Sequence, residues 1–218
     1  MEIRYLGHSA FLLKGKTASL ITDPFDPDKV GLPWPKSTSA SIVTISHHHT
    51  DHNRSDLVEG NPLVIDLPGE YEKSGIRING IESFHDAANG AERGTNTIFH
   101  IEYEGLTIVH CGDLGHQLDD DTLEQIGTVD ILLIPVGGHY TIGPEEAVKV
   151  ARAIDPRIII PMHYGHPDLK LSKATELSSV QDFISATGTP VVEKLTKLVV
   201  KREDLVEEQA KVVILEAN

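Results

Sequence analysis

Apolar runs rich in β-branched residues keep ending, along this chain of 218 residues, in a histidine or an aspartate set before a polar or glycine-containing turn. Ser41-Ile42-Val43-Thr44-Ile45 leads into Ser46-His47-His48-His49-Thr50-Asp51-His52. Gly75 to Phe84 leads into His85, Leu106 to Gly112 into Asp113, and Arg157 to Met162 into His163. Runs of this composition read as buried strands. A strand end is a rigid place from which to present a side chain. The recurrence therefore implies that several strand ends converge on one edge of a sheet, where sites are commonly built.

The densest of these ends is His-x-His-x-Asp-His, with His47, His49, Asp51 and His52 as metal-capable side chains. Residues two apart in near-extended backbone point the same way, so His47 and His49 can hold one ion. Asp51 and His52 follow a short turn and are aimed towards a second. Imidazole and carboxylate with no thiolate nearby suit zinc, and also manganese, iron or nickel. A tag or a solvated histidine tract is the plainer explanation. It accounts poorly for an internal element that follows a core strand and carries an aspartate at a fixed offset.

With these elements in this order, the chain resembles the metallo-β-lactamase superfamily of metal-dependent hydrolases, in particular the compact branch of ascorbate-6-phosphate lactonase-like proteins. The resemblance is carried by Tyr5-Leu6-Gly7-His8-Ser9, Thr22-Asp23-Pro24, the His47 to His52 element and Pro68-Gly69-Glu70-Tyr71. It continues in His110-Cys111-Gly112-Asp113, Pro135-Val136-Gly137-Gly138 and Pro161-Met162-His163-Tyr164, and so spans nearly the whole chain. It implies an α/β fold, the four-layer αβ/βα sandwich of two facing mixed β-sheets, as a single hydrolase domain over 1–218. It also implies two divalent ions per chain. One would sit on His47, His49 and a third histidine, the other on Asp51, His52 and His163, with Asp113 bridging. Zinc is the first expectation, manganese or iron the alternatives. For the third histidine, His85 is favoured because the turn-rich stretch Asp86 to Thr95 after it reads as a site loop. His110, inside the strand before Asp113, competes; a strand imidazole near a metal often orients ligands instead of binding.

Composition fits such an enzyme. Twelve histidines accompany a single cysteine, Cys111, which excludes an internal disulfide and suits a reducing compartment. Cys111 reads as a small buried residue behind the site. Met1-Glu2-Ile3-Arg4 runs directly into a strand and no apolar run reaches membrane-spanning length, so cytoplasm without membrane association is expected. A net charge of −14 with no basic stripe argues against nucleic acid. The expected partner is a small molecule, an anionic one included, and a homo-oligomer is allowed.

Around the ligands, His139 and Tyr140 after Gly137-Gly138 are candidates for oxyanion stabilisation or leaving-group protonation, with loop packing the alternative. Asp51 is expected to orient the nucleophile and handle its proton. His8 and His116 are candidates for substrate contact. Asp23 reads as an acceptor for a ligand imidazole, and Trp34 as either a cover for the site or a packing residue. Strands are expected near 2–6, 10–14, 17–22, 41–46, 62–66, 75–84, 96–103, 105–111, 129–135, 157–161, 190–193, 197–201 and 211–216. Helices are expected near 119–126, 143–154 and 176–187, and Asp26 to Ser41 as a proline-stiffened loop. The expected activity is hydrolysis of a small ester, lactone or phosphodiester by hydroxide held between two metal ions. The alternatives are a nuclease, or a non-hydrolytic redox or regulatory protein. Redox relatives carry a carboxylate where His49 stands and append a flavin domain, and this chain has neither.

Overall fold

Strand pairing follows the apolar runs closely in the computed structural model, which describes residues 1–171, 174–188, 192–205 and 210–217. β1 (Glu2–Gly7), β2 (Ala10–Lys14), β3 (Ser19–Thr22), β4 (Ile42–Thr44) and β5 (Leu63–Ile65) form one sheet, with β13 (Leu198–Val199) beside β1. The second sheet holds β6 (Gly69–Lys73), β7 (Ile76–Phe84), β8 (Thr95–Tyr103), β9 (Leu106–His110), β10 (Ile131–Pro135), β11 (Ile158–Met162), β14 (Lys211–Leu215) and β12 (Val192–Leu195). Its order is β12-β14-β11-β10-β9-β8-β7-β6. β9, β10, β11 and β14 run parallel, whereas β6 to β9 are linked antiparallel. Every residue of β10 and β11 is buried, as parallel strands covered on both faces require.

The two sheets meet over one interior cluster, in which Ile3, Phe11 and Leu20 of the first face Phe99, Ile108 and Leu133 of the second. The opposite face of the second sheet is covered by α2 (Asp120–Ile126), α3 (Pro144–Ile154) and α4 (Val180–Thr187), through Ala147, Ala151, Ile154 and Phe183 among others. α3 starts as its sequence suggests: Pro144 occupies the first turn and the Glu146 carboxylate accepts the Gly143 N–H at 3.2 Å. The outer face of the first sheet has a thinner cover, the single turn α1 (Pro27–Val30) and the proline-rich stretch after it. There Trp34 packs edge-on against Phe25, ring centroids 5.2 Å apart, so it serves this outer layer.

Differences from the sequence reading have local causes. β6 was not expected, because Gly69 to Lys73 alternates charge with a half-buried face in the manner of an edge strand. α1 lies inside the expected loop, capped by the Asp26 carboxylate on the N–H groups of Asp28 and Lys29. The helix expected from 176 begins at Val180, since Ser179 and Asp182 cap it reciprocally. Of the expected strand 190–193, residues 190 and 191 lie outside the described residues. No helix among the described residues is long and apolar enough to cross a membrane.

Phe99 has no exposed surface and sits where the sheets meet. Phe99→Ala is expected to cost about 3–5 kcal/mol through lost transfer energy and a residual cavity, read as a lower urea midpoint at unchanged slope.

Candidate metal centre

The parallel register of β9, β10 and β11 brings their carboxyl ends to one edge of the second sheet. β7 is related to β9 by two antiparallel steps, so it ends at that edge too. The end of β4 is joined to it by the Thr97 N–H, which donates to the Ser46 carbonyl at 2.9 Å. The chain leaves these strands abruptly. His8, Asp23, His139 and His163 have φ of 56°, 39°, 53° and 51°, in the left-handed region that few non-glycine residues adopt. Gly112 has φ 55°, and a Cβ there would collide with Asn96 and Ser46.

The result is a cluster around Asp113. Its Oδ2 lies 3.2 Å from Nε2 of His163, 3.3 Å from those of His52 and His85, and 3.9 Å from that of His47. Candidate ligand atoms of His47, His49 and His85 fall within 4.8 Å of one another, and so do those of His8, Asp51, His52 and His163. The structure thus brings together all seven residues expected to bind metal, with His8 beside them; the His8 Nε2 stands 3.2 Å from Asp51 Oδ2. Asp113 is itself positioned by Asn96, whose side-chain oxygen accepts its N–H at 2.9 Å.

Proton placement in the cluster is set by Asp23. Its carboxylate accepts the Ser46 N–H at 2.7 Å, the Ser46 hydroxyl at 2.6 Å and His52 Nδ1–H at 2.9 Å. The Ser46 proton being committed, His47 Nδ1 donates to the Ser46 oxygen at 2.9 Å. Both imidazoles therefore turn an unprotonated Nε2 inward in the neutral form, and both Nε2 atoms are buried without a hydrogen bond. His85 Nδ1, His163 Nδ1 and Asp113 Oδ1 are likewise buried and unsatisfied. Such orphans cost about 1–3 kcal/mol each, so a cation that engages the cluster fits it well. His110 differs. Its Nε2–H donates to the Ser9 carbonyl at 2.8 Å and its Nδ1 accepts the Gly112 N–H at 3.2 Å, so neither nitrogen is free.

Except at His52, the charges suit the same use. Burial holds His47 well below the usual imidazole range, lowers His49, and with His163 takes His8 to about 4. Burial would push Asp113 up, but His163 and His52 hold it well below the carboxylate range. For Asp51 the same opposition, with His52 and His8 against burial, also ends low. His52 moves the other way: burial would lower it, but Asp113 and Asp51 outweigh that and hold it well above its ordinary value. Neutral imidazoles and anionic carboxylates are the forms that bind cations.

Over the cluster lies a cavity of about 300 Å³, lined by His49, Asp51, His85, Arg93, Asp113, Tyr140, His163 and Leu171. Tyr140 is in its wall. His139 is turned to Glu176, its Nδ1 3.1 Å from the carboxylate, and is not among the lining residues. His116 does not reach it either: its Nε2 accepts the Phe84 N–H at 3.1 Å and its Nδ1–H donates to the Gln117 carbonyl at 2.7 Å. Both nitrogens are spent on backbone, and His116 is not among the residues lining the cavity. Sequence reasoning missed Arg93, though it is the one basic residue of the Asp86 to Thr95 loop. It also passed over Ser46 and Asn96, whose roles depend on contacts across the sheets.

Residues 2–163 match the family described as the beta-lactamase superfamily domain. A UPF0173 metal-dependent hydrolase of Thermococcus onnurineus is 32% identical over 191 residues, which is 76% of this chain and 85% of that protein. The chain belongs to the metallo-β-lactamase superfamily. Among solved structures of the superfamily, one from Thermotoga maritima, provisionally described as a Zn-dependent hydrolase, is 39% identical, with a TM-score of 0.82 over 99% of this chain and 98% of that one. Igni18, a metallo hydrolase of Ignicoccus hospitalis, shares the fold at 22% identity, with a TM-score of 0.62 over 100% and 95% of the two chains.

Cys111, fully buried behind the Gly112-Asp113 turn, has its thiol pushed up to about 12 by burial. The native protein is expected to resist iodoacetamide at pH 8 and to take up one label per chain only after unfolding, as read by mass spectrometry.

Proposed function

We propose that the protein is a metal-dependent hydrolase that takes two divalent cations per chain, zinc first, and cleaves a small ester, lactone or phosphodiester. The observation that carries this reading is the set of buried atoms without a hydrogen bond at the cluster, Nε2 of His47 and His52 and Oδ1 of Asp113, with the Nε2 atoms of His163 and His85 also turned to Asp113. His47, His49 and His85 would hold one cation, and Asp51, His52 and His163 the other, with Asp113 reaching both. His110 is a poor choice for the first site, because its nitrogens are occupied. Bound cations of this kind supply a water acidified towards neutral pH and polarise the carbonyl or phosphoryl oxygen.

The chain's own groups do the rest. Asp51, contacted by His8 Nε2, is the carboxylate placed to orient the attacking water and exchange its proton. Tyr140, in the cavity wall, is suited to donate a hydrogen bond to the developing oxyanion or the leaving group. His139, held by Glu176, is suited to positioning Tyr140, whose ring lies 4.5 Å away centroid to centroid. A cavity of about 300 Å³ favours a small substrate, and a net charge of −14 disfavours nucleic acid. Because the interior cluster draws on strands from β1 to β14, we read 1–218 as a single domain.

Elemental analysis of zinc-loaded protein is expected to give two ions per chain, one in His85→Ala and weakened binding at both sites in Asp113→Ala. Unaltered tight loading in Asp113→Ala would sink the assignment. His52 adds an independent measurement. Its folded value is raised, so at pH 7 the metal-free protein carries a proton there that loading must displace. Calorimetric titration of zinc in buffers of different ionisation enthalpy should show proton release, reduced in His52→Ala.

A further inference from the structure

Arg93 is the one lysine or arginine among the residues lining the cavity over the cluster, and it also lines the adjoining cavity of about 450 Å³ beside His48, His49 and Asp66. Its place is built. The Asp86 carboxylate accepts the N–H groups of Ala88, Gly90, Glu92 and Arg93 at 2.7–3.0 Å and closes the loop on itself. The side chain is one-third exposed. One guanidinium nitrogen donates to the His139 carbonyl at 3.3 Å, which ties this loop to the turn carrying Tyr140. Its charged partner is Glu92, a 67% exposed rim carboxylate at 3.6 Å. A guanidinium has five N–H donors, so most of this one's capacity is unspent.

We propose that Arg93 determines specificity by pairing with a carboxylate or phosphate group that the substrate carries beside its scissile bond. This rests on the hydrolase reading above and narrows its substrate class. In a chain with net charge −14, anions are repelled at long range, and a half-buried guanidinium in the wall gives them a favourable place beside the proposed metal ions. No ion pair joins Arg93 to Asp51 or Asp113, so it is not spent balancing the cluster. The planar guanidinium matches two oxygens of an oxyacid, which an ammonium does less well. The size of the inner cavity keeps the anion near the reacting bond.

The probe is inorganic phosphate, titrated calorimetrically into zinc-loaded wild type, Arg93→Gln and Arg93→Lys. Loss of a charge-assisted hydrogen bond should weaken binding about tenfold or more in Arg93→Gln and less in Arg93→Lys, at unchanged zinc content. In parallel, mono(4-nitrophenyl) succinate should suffer in KM in Arg93→Gln, while neutral 4-nitrophenyl acetate does not. Equal phosphate affinity in all three proteins overturns the proposal and leaves Arg93 as a brace for the His139 turn. Absence of phosphate binding to the wild type overturns it as well. The two readings fail separately: a protein that takes up neither zinc, manganese nor iron defeats the hydrolase reading, whereas full metal loading with Arg93-independent phosphate binding defeats this one.

Discussion

Asp113 is 2% exposed, and burial alone would drive its carboxyl to the neutral form. It stays anionic because His163 and His52 stand against it, with His85 at a similar distance and His47 slightly further. That balance requires four separate strand ends to stop at the same level. The parallel pairing of β9, β10 and β11 supplies two of them, the double antiparallel step to β7 supplies the third, and the Ser46–Thr97 hydrogen bond fixes the fourth. A one-residue slip of β7 would turn His85 to the opposite face and leave Asp113 with less compensation.

The site also concentrates backbone conformations that cost energy elsewhere. Strands ending in ordinary extended geometry would carry their last side chains along the sheet face. The left-handed φ of His8 and His163 turns both inward, and the His163 N–H donating to the His8 carbonyl at 2.9 Å locks the two turns together. Such residues persist where surrounding packing over-determines them, and they collect at functional sites. Here the over-determination comes from rings in contact: His8 and His163 lie 4.2 Å apart, and His47 and His52 4.3 Å, centroid to centroid.

Much of this was legible in the chain. β-branched runs announced the central strands, and the spacing of His47, His49, Asp51 and His52 announced a metal site, because both signals are local. The two-sheet sandwich came from the order of motifs. What failed to show was what depends on other strands. Position alone favoured His85 over His110; the two backbone hydrogen bonds that pin His110, made by Ser9 from the turn between β1 and β2 and by Gly112, do not show in the local sequence. His116 follows Asp113 closely in sequence, and only the structure shows its ring nitrogens engaged by the backbone of Phe84 and Gln117. His139 and Tyr140 looked equivalent in sequence, and Glu176 separates them. Arg93 carried a weak signal that meant little until the loop closed around Asp86.

Asp23 makes the two ligand groups one object. Through the Ser46 hydroxyl it sets the tautomer of His47, in the group with His49 and His85; directly, it sets that of His52, in the group with Asp51 and His163. One carboxylate therefore orients a ligand candidate on each side, and a shift of β3 would be felt by both. Its own geometry is fixed by a N–H donated to the Thr44 carbonyl at 2.8 Å. Position 112 has to be glycine, because a Cβ there would run into the Ser46 side chain and into Asn96, which also holds Asp113. Ser46, Asn96 and Gly112 are thus constrained together, though none of them is a candidate ligand.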